Sequence, residues 1–294
     1  MNDQFMKMRR REFIKVTAAA AGSYAFTSVN PILAVNEQKK YANDIVTLGK
    51  TGIKVSRLAM GTGTNGYNYR SDQTRKLGIK GVADLLKSAY DQGINFWDSA
   101  DQYGSHPHLK EALKYVPRDK VVVLTKTHAE TAQEMREDLD RFRKEIGTDY
   151  IDIVLLHMMT HEDWPDQYQG AMEELSRARD RGIVRAHGVS CHTIEALETA
   201  SRTDWVQIDL ARINPKGVVM DADVTTIIKL LGTMHSVGKG IVGMKIFGAG
   251  QLQDQVDHCL RFILNFDCVD AFTIGQESKE QMMDLVKRIP EASM

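Results

Sequence analysis

The sequence predicts an α/β fold, a (β/α)8 TIM barrel closed underneath by an N-terminal β-hairpin cap. From residue 46 onward, short β-branched or apolar runs alternate with stretches of helical period, eight runs in all. Eight strand–helix units in about 250 residues is the usual size of a closed parallel barrel. No Gly-x-Gly-x-x-Gly follows the first run, which argues against an open doubly wound sheet, and nothing suggests a second globular domain.

The elements follow in order. Val46–Leu48 and Lys54–Val55 flank Gly49-Lys50-Thr51-Gly52, which reads as the capping hairpin. The strand runs are Arg57–Thr62, Asn95–Ala100, Val121–Lys126, Ile151–His157, Ala186–Ser190, Val206–Ala211, Ile241–Ile246 and Ala271–Ile274. In Thr131–Ile146, Met135, Leu139, Phe142 and Ile146 recur at spacings of three and four, one apolar helix face. Val224–Met234, Val256–Leu264 and Lys279–Val286 repeat that spacing. Gly182 and Gly238 fall where helices stop before the next strand, as a C′ glycine should.

Composition narrows the function. The 294 residues are 43% hydrophobic and 26% charged, with 22 Gly and 6 Pro, an ordinary globular balance. A formal charge of −1 gives no basic surplus for a nucleic-acid partner. Cys191, Cys259 and Cys268, with no C-x-x-C, exclude a disulfide framework and a zinc ribbon, and no metal ligand set is expected. No apolar run approaches the roughly 20 residues of a transmembrane helix.

Residues 1–34 form a separate segment. Lys7, Arg9, Arg10, Arg11 and Lys15 outweigh Asp3 and Glu12, and an alanine-rich, weakly apolar stretch from Val16 to Val29 follows. Pro31-Ile32-Leu33-Ala34 supplies a small-residue end. A basic region, a short apolar region and a small residue at the cut are the parts of a removable signal. Polar Ser and Thr within the stretch, with Asn30 just after it, would make a poor core helix, the structural alternative. Arg10-Arg11-Glu12-Phe13-Ile14-Lys15 resembles the twin-arginine export signal. The resemblance implies export by the twin-arginine translocation machinery to the periplasm, with residues 1–34 removed. Left uncut, the segment would be a membrane tether.

A barrel of this kind carries its active site at the C-terminal ends of its strands. Those ends hold Gly61-Thr62, Asp98, Tyr103, Lys126, His157, Ser190, Gln207 and the Lys245–Gly250 loop. Each has a structural reading: Asp98 as a helix cap, Lys126 as a strand-end charge, His157 as a hydrogen-bonded core imidazole. Ionisable groups on consecutive strand tops nevertheless point to one converging site.

Several segments resemble the aldo/keto reductase superfamily. They are Leu48-Gly49-Lys50-Thr51-Gly52 with Val55-Ser56-Arg57-Leu58, Asp98-Ser99-Ala100-Asp101-Gln102-Tyr103-Gly104, Thr125-Lys126, Asp152 through His157, and Gly188-Val189-Ser190. The resemblance runs from residue 46 to the end, so the barrel domain is taken as residues 46–294. It implies a nicotinamide cofactor, NADP(H) first and NAD(H) as the alternative, serving a carbonyl–alcohol interconversion. Hydride arriving at a carbonyl carbon leaves charge on oxygen, so a proton donor must lie within reach. The resemblance assigns Tyr103 as that donor, Lys126 to lower its pKa, Asp98 to hold the lysine and His157 to orient the substrate oxygen.

The same resemblance places the cofactor on Gly61, Thr62, Ser190 and Gln207, the last two holding the nicotinamide carboxamide. Lys245, Phe247, Gly248 and Gly250 cover the pyrophosphate, and Gln281 and Asp284 clamp the adenosine. Cys191 and Leu285 stand where the pattern has asparagines, Met244 replaces an aromatic, and Lys279 is the cation nearest a 2′-phosphate. Nothing in the sequence walls the pocket after the eighth helix, which suits a polar substrate such as a sugar or its derivative. Trp97, Tyr67, Tyr69 and Trp164 are candidate stacking walls. The reading is thus an exported oxidoreductase acting on a small-molecule carbonyl. A redox-neutral epimerase with permanently bound cofactor, and a non-catalytic binding barrel, are the alternatives.

Overall fold

The computed structural model describes residues 39–294. The expected export signal, residues 1–34, lies outside them. Eight parallel strands close into a barrel in the order β10-β3-β4-β5-β6-β7-β8-β9. They are β3 (Leu58–Gly61), β4 (Phe96–Asp98), β5 (Val122–Thr127), β6 (Ile151–Met159), β7 (Val184–Cys191), β8 (Ile208–Arg212), β9 (Gly240–Met244) and β10 (Ala271–Gly275). The antiparallel hairpin is β1 (Ile45–Thr47) with β2 (Lys54–Ser56), Val46 opposite Val55. Its turn rests on the entry to β9, where Lys50 N–H donates to Gly238 O at 2.8 Å. Gly49, at φ +47, lies so close that a Cβ there would be 2.4 Å from that same oxygen. Leu48, Ile53 and Val55 are fully buried, so the hairpin plugs the N-terminal mouth.

Helices wrap the outside: α1 (Asp72–Asp91), α2 (His106–Ala112), α3 (Ala132–Ile146), α4 (Trp164–Gln167), α5 (Gln169–Asp180), α6 (Ile194–Arg202), α7 (Val224–Ser236), α8 (Val256–Leu264) and α9 (Lys279–Ala292). Thr131 and Glu134 form a capping box at the start of α3, and Ser278 and Asp223 cap α9 and α7 with side-chain oxygens. Gly182 and Gly238 take φ of 74° and 93° just past α5 and α7. The last helix continues beyond Val286 to Ala292, with Pro290 inside its final turn.

Alternation along the strands sorts the side chains into two cores. Phe96, Leu124, Leu155, Ala186, Leu210 and Val242 belong to the barrel interior. Trp97, Val123, Val154, Val189 and Ala211 face the helix layer, packed with Leu139, Phe142 and Leu231. The inward series ends, one step higher, on the groups at the strand tops.

Candidate functional site

Two residues above Phe96, Leu124 and Leu155 on the inward faces stand Asp98, Lys126 and His157, each at most 6% exposed. Lys126 Nζ donates to Asp98 Oδ1 at 2.5 Å and to Ser99 O at 2.6 Å, while Thr273 Oγ1 donates to Asp98 Oδ2 at 2.9 Å. Tyr103 ends the short turn Asp101–Tyr103 after β4, and its ring lies 4.8 Å from Lys126 Nζ. The His157 ring meets the Tyr103 ring edge-on, centroids 5.8 Å apart at 83°. Asp98, Tyr103, Lys126 and His157 therefore form one contiguous cluster at the barrel's C-terminal mouth.

The environment sets the protonation of each member. Burial would lower the Lys126 pKa, but the Asp98 carboxylate and the Tyr103 oxygen more than offset it and hold it above the ordinary lysine value. Burial, followed by the cations Lys126 and Lys245 and by His128 and His192, drives His157 well below 6.5. For Tyr103 the expected direction reverses. Burial raises its pKa more than Lys126 lowers it, so the net movement is upward from 10. A neutral phenol and a neutral imidazole thus face one another beside a buried ammonium.

Two glycines shape the Tyr103 slot. A Cβ at Gly63 would sit 2.2 Å from the Tyr103 ring, and one at Gly66 2.3 Å from it. The loop after β3 therefore packs its backbone on the ring. Its next turn, Tyr67 to Arg70, carries Asn68 and Tyr69 at φ of 50° and 56°, which leaves Tyr67 and Tyr69 64% and 70% exposed. Trp97 and Trp164, by contrast, are buried in the core between sheet and helices, so they are no substrate walls.

The remaining candidates separate by position. Gly61 ends β3 in register with Asp98. The Thr62 hydroxyl is held against Asp98 O at 2.9 Å and Ser105 Oγ at 2.8 Å. Ser190 Oγ accepts the Met158 N–H at 3.0 Å, which holds Met158 at φ 64° and leaves the hydroxyl proton free to donate. Lys245 (φ 59°), Gly248 (φ 55°) and Gly250 (φ 93°) follow β9, with Phe247 half-buried among them. Gln281 accepts from Glu277 N–H at 2.7 Å, and Asp284 pairs with Arg288 at 2.6 Å. Both are exposed on α9.

Gln207 is a correction. It precedes β8 at the N-terminal mouth, where its Oε1 accepts from His187 N–H at 3.2 Å. It lines a shallow pocket of about 190 Å³ with Lys50, Thr51 and Lys239. Because Ile208 and Leu210 face inward, Gln207 faces the helices and stands at the wrong end of the barrel for a nicotinamide. The same count places Arg212, two beyond Leu210, at the functional end, paired with Asp221. His128 also belongs to the mouth, its ring 4.8 Å from that of His157. Gln276, just past β10, is 1% exposed with neither amide atom hydrogen-bonded. Counting every second residue to the strand end would have found Arg212; no local sequence signal marks Gln276.

The pattern of the Aldo/keto reductase family matches residues 57–286. The fold and the clustered strand-top residues agree with that match: the chain belongs to the aldo/keto reductase family of oxidoreductases. It is 31% identical over 174 residues to the aldo-keto reductase YhdN of Bacillus subtilis, covering 53% of this chain and 49% of that protein. It is 24% identical over 234 residues to a D-threo-aldose 1-dehydrogenase of Pseudomonas, covering 68% of each. The chain thus spans about half the length of the first of these relatives. The aldo-keto reductase AKR11C1 from Bacillus halodurans, in its holo form, superposes with a TM-score of 0.68 at 16% identity, over 84% of this chain and 90% of that one.

Proposed function

We propose that this chain transfers hydride between a nicotinamide cofactor and the carbonyl or alcohol carbon of a sugar-like substrate, with Tyr103 as proton donor. The single observation that carries the reading is the Asp98–Lys126–Tyr103–His157 cluster at the functional end of the barrel. When bound, NADP(H) or NAD(H) supplies the hydride. Ser190 has a free hydroxyl proton, Lys245 is a cation depressed by burial, and Gln276 has an unpaired buried amide. Those three groups, with the glycine loop after β9, fit a polar dinucleotide across the tops of β7, β9 and β10.

The protein's own part is proton transfer and charge. The raised pKa of Tyr103 keeps its proton in place until negative charge develops on the substrate oxygen. As the proton leaves, the Lys126 ammonium stabilises the phenolate, and Asp98 keeps that ammonium charged and oriented. Neutral His157 has one N–H to offer the same substrate oxygen. The sugar assignment draws on the aldose dehydrogenase likeness and on exposed Tyr67 and Tyr69, which suit stacking on a pyranose face. Export through the twin-arginine machinery to the periplasm completes the proposal, supported by the sequence of residues 1–34.

The test is Tyr103→Phe, assayed on aldoses and 4-nitrobenzaldehyde with NADPH and NADH. Loss of the donor lowers kcat by roughly 10²–10⁴ while cofactor affinity holds within about twofold. Near-normal turnover in Tyr103→Phe would remove Tyr103 from the acid's role.

A further inference from the structure

Lys126 points inward from β5, and its two neighbours point outward into a polar network on the helix side of the strand. Thr127 Oγ1 donates to Asp138 on α3, and Thr125 Oγ1 meets His106 Nε2 at 2.7 Å. His106 Nδ1 meets Glu145 Oε2 at 2.8 Å. Asp138 and Glu145 lie three before and four after Arg141, on one face of α3. Arg141 donates to Asp138 Oδ1 at 2.6 Å, to Glu145 Oε1 at 3.3 Å, and to both oxygens of Asp101 at 2.6 and 2.9 Å. Asp101 opens the three-residue turn that ends on Tyr103. One guanidinium therefore spans the element that carries Tyr103 and the strand that carries Lys126.

Asp101, His106 and Glu145 also bring ligand atoms within 4.8 Å of one another, the spacing of a cation site. The Arg141 guanidinium already pairs with both carboxylates, so the cluster is an ion-pair network centred on that cation. Tyr103 needs such an anchor. Its ring leans on the backbone of Gly63 and Gly66 on one side, and a short three-residue turn has little stiffness of its own. The bidentate Arg141–Asp101 contact fixes direction as well as distance, which a lysine would not reproduce.

We infer that Arg141 is a positioning residue that holds Tyr103 in reach of Lys126 by clamping Asp101 to α3 from outside the barrel. The inference deepens the proposed role of Tyr103, so its test includes a readout independent of turnover. The protein is labelled with 3-fluorotyrosine, and the Tyr103 signal among its 9 tyrosines is identified by its loss in Tyr103→Phe. In Arg141→Gln the Tyr103 ¹⁹F signal shifts and broadens, while those of tyrosines away from the network, such as Tyr41, stay put. Arg141→Lys restores it in part. In the NADPH-dependent assay, Arg141→Gln lowers kcat at least about tenfold, with KM and NADPH affinity within about twofold. Asp101→Asn cuts the same link from the other side and decides the matter where Arg141→Gln does not fold. An unchanged Tyr103 signal in a folded Arg141→Gln or Asp101→Asn variant overturns the inference. A wild type without carbonyl reduction would overturn the reductase proposal, and the ¹⁹F result would still decide what Arg141 does.

Discussion

The His157 imidazole shows how far a residue's chemistry departs from its reference value once the fold surrounds it. A histidine at the end of an apolar strand run reads equally as a pH-sensitive acid or as a neutral donor. Burial and the neighbouring cations decide for the neutral form, with the pKa pushed well below 6.5. The sign follows: the folded enzyme keeps His157 uncharged as pH falls through 6.5, so this group adds no protonation step to catalysis there. The expected kcat profile is flat between about pH 6 and 8, with His157→Gln lowering its height but not moving an inflection. An inflection near 6.5 that vanishes in His157→Gln would show instead that the imidazole is charged at work. That Asp98, Tyr103, Lys126 and His157 gather in one cluster was legible because all four stand at or just beyond the ends of strands the hydrophobic pattern already marks. The direction of the Tyr103 pKa was not, since it depends on how much burial opposes Lys126, which no spacing reveals.

At the scale of elements, β8 carries the clearest lesson. Its run alternates Val206, Ile208 and Leu210 with Gln207, Asp209 and Ala211, so the pattern separates two faces without saying which of them looks into the barrel. One residue of phase decides whether Arg212 or Ala211 faces the mouth, and Gln207 stands at the other end of the strand in either case. The same phase puts Asp209 against the helix layer, 0% exposed, with neither oxygen hydrogen-bonded and its pKa raised by burial and by Asp221 to about 8. A carboxyl raised from 3.8 contributes its stability in full below that value and loses it as pH climbs through about 8. Asp209→Asn therefore gains over wild type as pH rises, its advantage in Tm larger at pH 9 than at pH 5, at about 2–4 °C per kcal/mol. Melting curves at the two pH values check this, and an advantage independent of pH would show that Asp209 does not titrate in the fold. The loop after β3 bears directly on the Tyr103 ring. Its glycines announce a turn, but only the folded chain shows Gly63 pressed against the Tyr103 ring. Gly63→Ala displaces that ring, so kcat falls by about tenfold or more while Tm moves by only a few degrees. A fully active Gly63→Ala enzyme would show that the loop yields to the methyl group.

For the whole molecule, the two halves of the proposal, export and hydride transfer, constrain one another. An exported reductase meets no free nicotinamide pool, so an enzyme that released oxidised cofactor after each turnover would stop after one. Export and hydride transfer are compatible only if the dinucleotide enters during cytoplasmic folding, is retained, and is restored on the protein itself. Retention is a matter of slow dissociation, since related complexes differ mostly in off-rate. The mouth offers means for it: Lys245 lacks an ion-pair partner among the described residues, and Gln276 and Ser190 keep unspent hydrogen-bonding capacity. Against this, Cys191 and Leu285 withdraw two contacts the family pattern provides. Protein recovered from the exported fraction is expected to carry about one equivalent of nicotinamide dinucleotide through gel filtration, measured after denaturation. Changing Arg10 and Arg11 together to Lys keeps their charge but loses the planar fork, so that variant accumulates in the cytoplasm uncut, still loaded with dinucleotide. Exported protein without dinucleotide, active only on added cofactor, would separate the two halves of the proposal: the barrel would stand as a reductase, and its export would need a different purpose.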